Sequence, residues 1–134
     1  MIQGINHINL AVRDLEKSFT FYKEIMGFVP LCRWPEGAYF LAGDLWFCLS
    51  LDSGGISAKG YNHYSFTISS EEFQAFSEKM KKHEVKFWKE NRSEGNSIYV
   101  LDPDAHQLEV HVGDWKTRMA TMKINPWPNA EFFV

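Results

Sequence analysis

The segment KENRSEGNSIYVLDPDAHQLEVH, residues 89–111, contains a polar loop, an apolar strand, a tight turn and a second strand. Side chains alternate in this second strand, so that Leu108 and Val110 face one side while Glu109 faces the other. A carboxylate among core residues is costly to bury unless a cation neutralises it. The segment therefore predicts that Glu109 has a cationic partner, for which the preceding Lys89 and Arg92 are candidates.

The composition of the chain excludes several classes of protein. With 45% hydrophobic and 16% aromatic residues, the 134 residues are expected to form one domain with a sizeable core. A net charge of −3 gives no reason to expect a nucleic-acid partner. No apolar run has the length of a membrane span, and the N-terminus lacks the features of a signal peptide. Because Cys32 and Cys48 form no motif, we expect buried free thiols in a reduced, cytoplasmic setting. No membrane partner is expected.

The first half of the chain predicts one β-α-β-β-β unit. Alternation over residues 2–12 indicates a strand, and Asp14 is a candidate N-cap for a helix that ends at Gly27. The apolar residues of this helix have helical spacing: Leu15, Phe19, Tyr22, and Ile25 or Met26. Strands are expected near 28–33, 37–42 and 45–51, followed by a Gly- and Ser-rich connector at 52–60.

The second half of the chain repeats this pattern. Asn62-His63 repeats Asn6-His7, and Ser69 with Glu72 forms a possible capping box for a second helix. Strands are expected near 84–89, 97–101 and 107–112, and a final helix near 114–123. We therefore predict an α+β fold of two β-α-β-β-β modules within one domain. The modules span about 1–52 and about 60–113, and a C-terminal helix and tail span 114–134.

Two histidines occupy matching positions of the repeat. His7 and His63 each lie on the polar face of a strand, and Glu109 lies on the polar face of the last strand. Two imidazoles and one carboxylate form a metal-binding set that leaves coordination positions open for a substrate. A single strand histidine is more often structural than a ligand, but two at the repeat period favour a metal site. Alignment of the final strands places Cys48 opposite Glu109, so one metal site per chain is expected.

Other titratable residues carry weaker signals. His83 and His106 are expected at the surface or in turns. His111 shares a face with Glu109 and is a candidate to support the metal ligands. Asp44 lies in a predicted turn of the first module and is expected to be exposed.

Five parts of the sequence resemble one known family. They are GINHINLAV at 4–12, GAYFLAGDLWFCLSL at 37–51, YNHYSF at 61–66, WKENRSEGNSIYVLDPDAHQLEVHVGD at 88–114, and Arg118. The paired modules and the His–His–Glu set resemble the vicinal oxygen chelate superfamily, which includes glyoxalase I and extradiol dioxygenases. Within that superfamily, the motifs resemble the fosfomycin-resistance glutathione transferases of the FosA type, almost from end to end. The Asn-Arg-Ser-Glu-Gly-x-Ser loop, followed by Tyr and Asp-Pro-Asp, is the most specific part.

The resemblance implies a Mn2+-dependent enzyme. Such an enzyme uses Mn2+, or another divalent metal, together with K+ to add glutathione to the epoxide ring of fosfomycin. It also implies a homodimer in which both subunits contribute to each metal site. The implied metal ligands are His63, Glu109 and, across the interface, His7.

The resemblance also implies roles for the residues around the metal. The potassium loop would consist of Ser93, Glu94, Gly95, Asn96 and Ser97. The phosphonate-binding residues would be Lys89, Ser93, Ser97, Tyr99 and Arg118. The thiol channel would be lined by Trp34, Trp46, Ser50 and Arg92, with Tyr39 as the candidate to help deprotonate the thiol.

Two positions depart from the family pattern. Asn9 stands where the family has threonine, and it shares a face with His7. Asn9 is therefore a catalytic candidate that is expected to touch the substrate or the metal. Ala105 stands where the family has glycine, and alanine there costs about 1 kcal/mol if the backbone has a positive φ.

Three other functions share parts of this pattern. A FosX-type enzyme would hydrate the epoxide directly, with Asp44 as an available carboxylate. An extradiol dioxygenase with Fe2+ would use the same ligand set, but it gives no role to the loop of cations and serines. A non-enzymatic antibiotic-binding protein of this fold would not require the complete His–His–Glu set.

Overall fold

The computed structural model describes residues 1, 3–54, 61–92 and 94–134 of the chain. Part of the predicted connector, residues 55–60, lies outside these ranges, as does Ser93 of the predicted potassium loop. Within the described ranges, no helix combines the length and the apolar composition that crossing a membrane requires.

The first half of the chain forms a helix and a four-stranded sheet. The elements are β1 (His7–Val12), α1 (Leu15–Thr20), β2 (Val29–Trp34), β3 (Gly37–Ala42) and β4 (Leu45–Leu51). Their order in the sheet is β1-β4-β3-β2. Strand β1 runs parallel to β4, whereas the other neighbouring pairs are antiparallel.

The second half has the same connectivity. Its elements are β5 (Tyr64–Thr67), α2 (Ser70–Lys82), β6 (Phe87–Lys89), β7 (Ser97–Leu101) and β8 (Gln107–His111), followed by α3 (Trp115–Ile124). The order in this sheet is β5-β8-β7-β6, and β5 is parallel to β8. The equivalent strand order in both halves confirms the predicted α+β fold of two β-α-β-β-β modules.

The first helix changes its geometry before it ends. Asp14 caps the helix as predicted, by accepting a hydrogen bond from a backbone N–H of the first turn. After α1 the chain continues as a π-helical turn, Phe21–Ile25, in which the Met26 N–H donates to the Phe21 carbonyl at 3.0 Å. Gly27 follows with a φ of +76°, the left-handed conformation that commonly ends helices.

Four predicted strands are shorter in the structure, among them β8, which ends at His111, one residue before its predicted end. Strand β1 begins at His7, later than predicted, β5 begins after His63, and β6 covers only its last three predicted residues. The cause at β6 is the end of the preceding helix, where the Val85 N–H donates to the Met80 carbonyl at 3.0 Å. That hydrogen bond places Val85 in the turn that terminates α2, so it is not free to extend the strand.

An aromatic core joins the two modules. Phe28 and Phe47 of the first module contact Phe66 of the second, with ring centroids 5.2 Å and 6.2 Å apart. Tyr22 packs 4.6 Å from the Phe47 ring and is fully buried. Burial of a large apolar side chain contributes about 1.5–3 kcal/mol. Because these rings come from both halves of the chain, the two modules share one hydrophobic core.

Two buried aspartates in the turn between β7 and β8 bind the first module. The Tyr22 hydroxyl donates to Asp102 Oδ2 at 2.7 Å. Asp104 accepts from the Arg13 backbone N–H at 2.9 Å and from the Ser18 hydroxyl at 3.1 Å. Because both aspartates are nearly inaccessible to solvent, these hydrogen bonds replace the water that would otherwise solvate them. The turn therefore fastens the second module to the helix of the first.

The prediction that His106 is a surface or turn residue is wrong with respect to its exposure. Its side chain is only 6% exposed, and its Nε2 donates to the Ala11 carbonyl at 2.7 Å. That partner lies in β1, far away in the sequence, so the residues around His106 give no indication of the contact. His83 is exposed at the end of α2, and Asp44 is exposed in the turn before β4, as predicted for both. Of the two free cysteines, Cys48 is buried as predicted, whereas Cys32 in β2 is exposed and the prediction for it is wrong.

Ala105 has a φ of +66°, the left-handed region in which a Cβ is strained. Replacement of Ala105 by glycine is therefore expected to raise the free energy of unfolding by roughly 0.5–1 kcal/mol, since the relief of strain exceeds the added entropy of the unfolded chain. Urea unfolding measures this difference. The matched control is Ala120→Gly in α3, which is expected to lower stability by about 0.8–1.0 kcal/mol. A decrease of stability in Ala105→Gly would contradict the assignment of strain.

Candidate functional site

Strand register aligns equivalent residues on one face of each sheet. In the first sheet, backbone pairing places four residues in one row: Asn9, Cys48, Tyr39 and Cys32. In the second sheet, the corresponding row consists of Ser65, Glu109, Tyr99 and Lys89. Directly paired residues have their side chains on the same face of a sheet. The register thus agrees with the sequence alignment that placed Cys48 opposite Glu109.

The His63 and Glu109 side chains point at each other. His63 Nδ1 lies 3.1 Å from the Tyr61 carbonyl, which can only accept, so this nitrogen carries a proton. His63 Nε2 then faces Glu109 Oε2 at 3.1 Å. A neutral imidazole nitrogen and a carboxylate oxygen are both acceptors, so a cation must lie between them at this separation. That cation is either a proton or a metal ion.

The separation of these two atoms fits a metal ion. Two ligand atoms about 2.1 Å from one ion and at right angles around it lie about 3.0 Å apart. The proton on His63 Nδ1 and its carbonyl partner also match the usual arrangement of a metal-binding histidine. His7 has the same arrangement, since its Nδ1 lies 2.8 Å from Asn6 Oδ1, which leaves Nε2 as the nitrogen with a lone pair. The residue types and their hydrogen bonds therefore fit a divalent metal.

His7 forms no metal-binding group with the other two candidate ligands in the part of the chain that the structure describes. Its exposed ring packs against Trp46, with centroids 4.7 Å apart. In the part of the chain that the structure describes, no three His, Cys, Asp or Glu side chains are close enough together to hold one metal ion. The chain therefore brings together His63 and Glu109, while His7 does not complete a three-ligand group with them among the described residues.

The carboxylate of Glu109 is buried but well supplied with donors. Its residue is 7% exposed, and the Ser97 hydroxyl donates to Oε1 at 2.7 Å. Burial alone would raise the pKa of Glu109, but hydrogen bonds from the Ser97 and Tyr99 hydroxyls, together with the neighbouring His63, lower the pKa below its usual value. Glu109 is thus ionised at neutral pH, as a metal ligand must be.

Lys89 lies between two tyrosine rings beside this pair. Its Nζ is 4.7 Å from the centroid of Tyr61 and 4.8 Å from that of Tyr99, and it also contacts the Tyr61 hydroxyl. The hydrogen bond with Tyr61 raises the pKa of Lys89, so the ammonium group keeps its proton at neutral pH. Tyr61 was not among the predicted site residues, although it stands two residues before His63 in the YNHYSF motif.

Glu94 and Arg118 form an ion pair that the sequence did not predict. Arg118 Nε donates to Glu94 Oε2 at 3.1 Å, and the Glu94 side chain is only 15% exposed. The neighbouring Gly95 has a φ of +74°, and its carbonyl accepts from the Asn91 side chain at 2.8 Å. The Asn96 carbonyl accepts from a backbone N–H after β8. These bonds tie the predicted potassium loop to the strands and to α3.

The predicted thiol-channel residues gather on the first sheet, with one exception. Tyr39 lies between the rings of Trp34 and Trp46, with centroids 4.8 Å and 5.1 Å away. The Ser50 hydroxyl donates to Asn9 Oδ1 at 3.0 Å on the same sheet. Arg92 is instead exposed on the segment that follows β6 of the second sheet.

Comparison with known proteins identifies the family. Residues 4–110 match the model of the Glyoxalase/Bleomycin resistance protein/Dioxygenase superfamily. The chain belongs to this superfamily. It is 43% identical to the Glutathione transferase FosA of Serratia marcescens, over 98% of this chain and 96% of that protein. It is 33% identical to a Metallothiol transferase FosB of Staphylococcus haemolyticus, over the full length of both chains.

A solved structure shows the same fold. The match is to a mutant of the fosfomycin resistance protein FosX from Listeria monocytogenes, complexed with Mn(II) and 1S,2S-dihydroxypropylphosphonic acid. The TM-score is 0.80 at 32% identity, and the match covers 90% of this chain and 99% of the other. The resemblance inferred from the sequence motifs, and the fold it implied, are therefore confirmed.

Proposed function

We propose that this superfamily member is a metal-dependent transferase that adds the thiol of glutathione to the epoxide ring of fosfomycin. The observation that carries the proposal is the His63–Glu109 pair, whose facing atoms lie 3.1 Å apart, a separation that fits two ligands of one metal ion. The 43% identity with a FosA glutathione transferase supports the choice of reaction. A reduced cytoplasm, where glutathione is abundant as the free thiol, is the setting that we propose for this reaction.

We propose Mn2+ as the metal, held by His63 and Glu109 of one chain and by His7 of a second copy. A site shared within a homodimer is supported by the finding that the described part of one chain does not bring three such ligands together. When bound, the metal supplies Lewis-acid polarisation of the epoxide oxygen, which is worth several kcal/mol of barrier. Glu109 contributes the negative charge that partly neutralises the bound divalent cation.

The second sheet provides the groups that would hold the phosphonate. Lys89 stays protonated and can neutralise one charge of this small dianion. Arg118 is oriented by its bond to Glu94, which keeps the guanidinium near the loop. Ser97 and Tyr99 lie beside Glu109 on the same face, and we include them in this group from the family pattern. We include Ser93 in this group from the family pattern alone, since it lies outside the described residues.

The loop after β6 would hold the monovalent ion. Backbone carbonyls, hydroxyls and the Glu94 carboxylate are hard oxygen donors, which suit K+ better than a transition metal. The proposed potassium loop comprises Ser93, Glu94, Gly95, Asn96 and Ser97. An ion bound there would add positive charge close to the phosphonate and strengthen its binding.

The first sheet would receive the thiol. Free thiols have a pKa of about 8.5, so only a few per cent is ionised near neutral pH and a base beside the sulfur increases reactivity. Tyr39, held between Trp34 and Trp46, is the residue that we assign to this role. Asn9 is fixed by Ser50 on the same face and would contact the substrate next to His7. Arg92 is the remaining candidate for contact with the glutathione.

An assay of fosfomycin with glutathione tests the reaction. Purified protein treated with a chelator and reloaded with Mn2+ is expected to consume thiol and to yield a glutathione adduct, whereas the chelated protein is expected to be inactive. Phosphorus NMR separates the adduct from the diol that direct hydration would give. Formation of the diol without thiol consumption would favour the FosX-type reaction. No consumption of fosfomycin with any divalent metal would contradict the proposal.

A further inference from the structure

A hydrogen-bonded chain links His111 to the carboxylate of Glu109. The Ser97 hydroxyl lies 2.7 Å from Glu109 Oε1 and 2.6 Å from His111 Nδ1. A hydroxyl has one proton to donate, and an ionised carboxylate can only accept. Ser97 therefore donates to Glu109 and accepts from His111. This direction assigns the imidazole proton of His111 to Nδ1.

Among the residues that the structure describes, this hydrogen-bonded chain occurs only on the second sheet, which carries Glu109. Register pairs Ser97 with His111 across β7 and β8. In the first sheet, the same pairing joins Gly37 to Ser50, and neither of these residues has an imidazole. The His–Ser arrangement is thus not a repeated feature of the two modules. It accompanies Glu109, which has Cys48 as its counterpart in the first sheet.

The imidazole of His111 is also held in place by the loop that contains Glu94 and Gly95. The side chain is 13% exposed. A Cβ at Gly95 would lie 3.1 Å from the ring and 2.6 Å from a backbone carbonyl, so glycine at this position allows the ring to approach. The Glu94 carboxylate is 3.9 Å from His111 Nε2, too far for a hydrogen bond. The ring is therefore fixed between this loop and β7, and its Nδ1 is the atom that hydrogen-bonds to the Ser97 hydroxyl.

We propose that His111 is a positioning residue for the metal ligand Glu109. Its Nδ1 proton fixes the Ser97 hydroxyl, which in turn holds Glu109 Oε1, so that Oε2 remains directed at the metal beside His63. This inference rests on the proposed function, because it requires Glu109 to be a ligand. Loss of a hydrogen-bonding partner behind a metal ligand typically lowers metal affinity by 10- to 100-fold.

Three variants of His111 test this role. His111→Asn keeps an N–H at the place of Nδ1, His111→Gln moves the N–H to the place of Nε2, and His111→Leu fills the space without a donor. By titration calorimetry, His111→Asn is expected to bind Mn2+ within about threefold of the parent, whereas Gln and Leu are expected to bind about 10- to 100-fold more weakly. If the ring acts only by packing, the larger Leu is expected to bind better than Asn. That order, or equal affinity of all three, would overturn the proposal.

Ser97→Ala provides a second route if a His111 variant fails to fold. Its Mn2+ affinity is expected to fall by the same 10- to 100-fold, and adding His111→Leu to it is expected to cause no further loss, because the chain is already broken. Additive losses would overturn the positioning role. Failure of the parent itself to bind Mn2+ would overturn both the proposed metal site and this inference. Normal binding by the parent together with normal binding by His111→Leu or Ser97→Ala would overturn the inference alone.

Discussion

Replacement of Glu109 by glutamine is expected to abolish most Mn2+ binding while leaving the fold intact. The variant removes the only carboxylate of the proposed ligand set and its charge. The glutamine amide can still donate to His63 Nε2, and its carbonyl can still accept from Ser97, so no buried polar group loses its partner. Calorimetry is expected to show a loss of Mn2+ affinity of more than about 100-fold, since even residues behind a ligand account for 10- to 100-fold.

Thermal unfolding supplies an independent measurement for the same variant. At 100 times its dissociation constant, Mn2+ is expected to stabilise the parent by about 2.7 kcal/mol. The melting temperature of Glu109→Gln is expected to match that of the metal-free parent and to be insensitive to Mn2+. Glu90→Gln, a change of an exposed carboxylate at the end of β6, is the matched control and is expected to behave as the parent. A Glu109→Gln variant with the parental Mn2+ response would remove Glu109 from the ligand set.

Mixed dimers extend this result to the shared site. His7→Ala and Glu109→Gln are each expected to be inactive as homodimers. In a heterodimer of the two, the Glu109→Gln chain lends its intact His7 to the His63 and Glu109 of the His7→Ala chain, so one site has all three ligands. The other site combines both substitutions. Isolated heterodimers, co-expressed with two different tags, are therefore expected to have about half of the parental activity. Inactive heterodimers would show that each chain supplies all three ligands to its own site.

The features that follow from local periodicity were predicted well. Alternation and helical spacing gave both modules, and the N-cap at Asp14 and the helix end at Gly27 agree with the structure. The matching of Cys48 to Glu109 also followed from alignment of two strands of similar pattern. These features depend on residues close together in the sequence or on the repeat itself, so the sequence contains their signal.

Apart from the His63–Glu109 pair, several contacts between distant segments were not predicted. The family resemblance placed Glu94 in an ion-binding loop and Arg118 among the phosphonate-binding residues, but it did not indicate that the two side chains pair with each other. Trp88 was not singled out, yet its ring packs 5.7 Å from His63 and its Nε1 donates to the Leu108 carbonyl at 2.9 Å. A charge or an indole in isolation does not identify its partner, because that partner is set by how β6, β8 and α3 pack together. Such contacts require the tertiary structure.

The turn from Asp102 to His106 shows this difference most directly. Asp-Pro-Asp indicated a turn, and turns are usually exposed. In the structure Asp102 and Asp104 are buried because the turn inserts against the helix of the other module. The sequence pattern therefore indicated the local shape of the segment but not its role in joining the two modules.

Replacement of Asp102 by alanine is expected to be among the most destabilising single changes in the chain. Asp102 accepts from the buried Tyr22 hydroxyl at 2.7 Å and from the backbone N–H groups of Asp104 and His106 at 2.9 Å and 2.8 Å. Alanine leaves these three donors without an acceptor, at about 1–3 kcal/mol for each unsatisfied group. We expect a loss of roughly 3–5 kcal/mol, a large part of the 5–15 kcal/mol typical of a domain. Urea unfolding provides the measurement.

The loss of stability in Asp102→Ala is expected to become smaller as the pH rises. Burial raises the pKa of Asp102 above its ordinary value, despite the hydrogen bonds that act in the opposite direction. Because the pKa of Asp102 is higher in the folded state, its contribution to the free energy of unfolding is complete below its unfolded-state pKa of about 3.9. This contribution decreases as the pH rises through the folded-state pKa. The difference in stability between the parent and Asp102→Ala is therefore expected to be larger at pH 4 than at pH 8. Asp44→Ala, in an exposed turn, is the control and is expected to change stability by less than about 0.5 kcal/mol at either pH. An Asp102→Ala loss no greater than that of the control, or one that grows with pH, would show that the buried turn does not hold the modules together in this way.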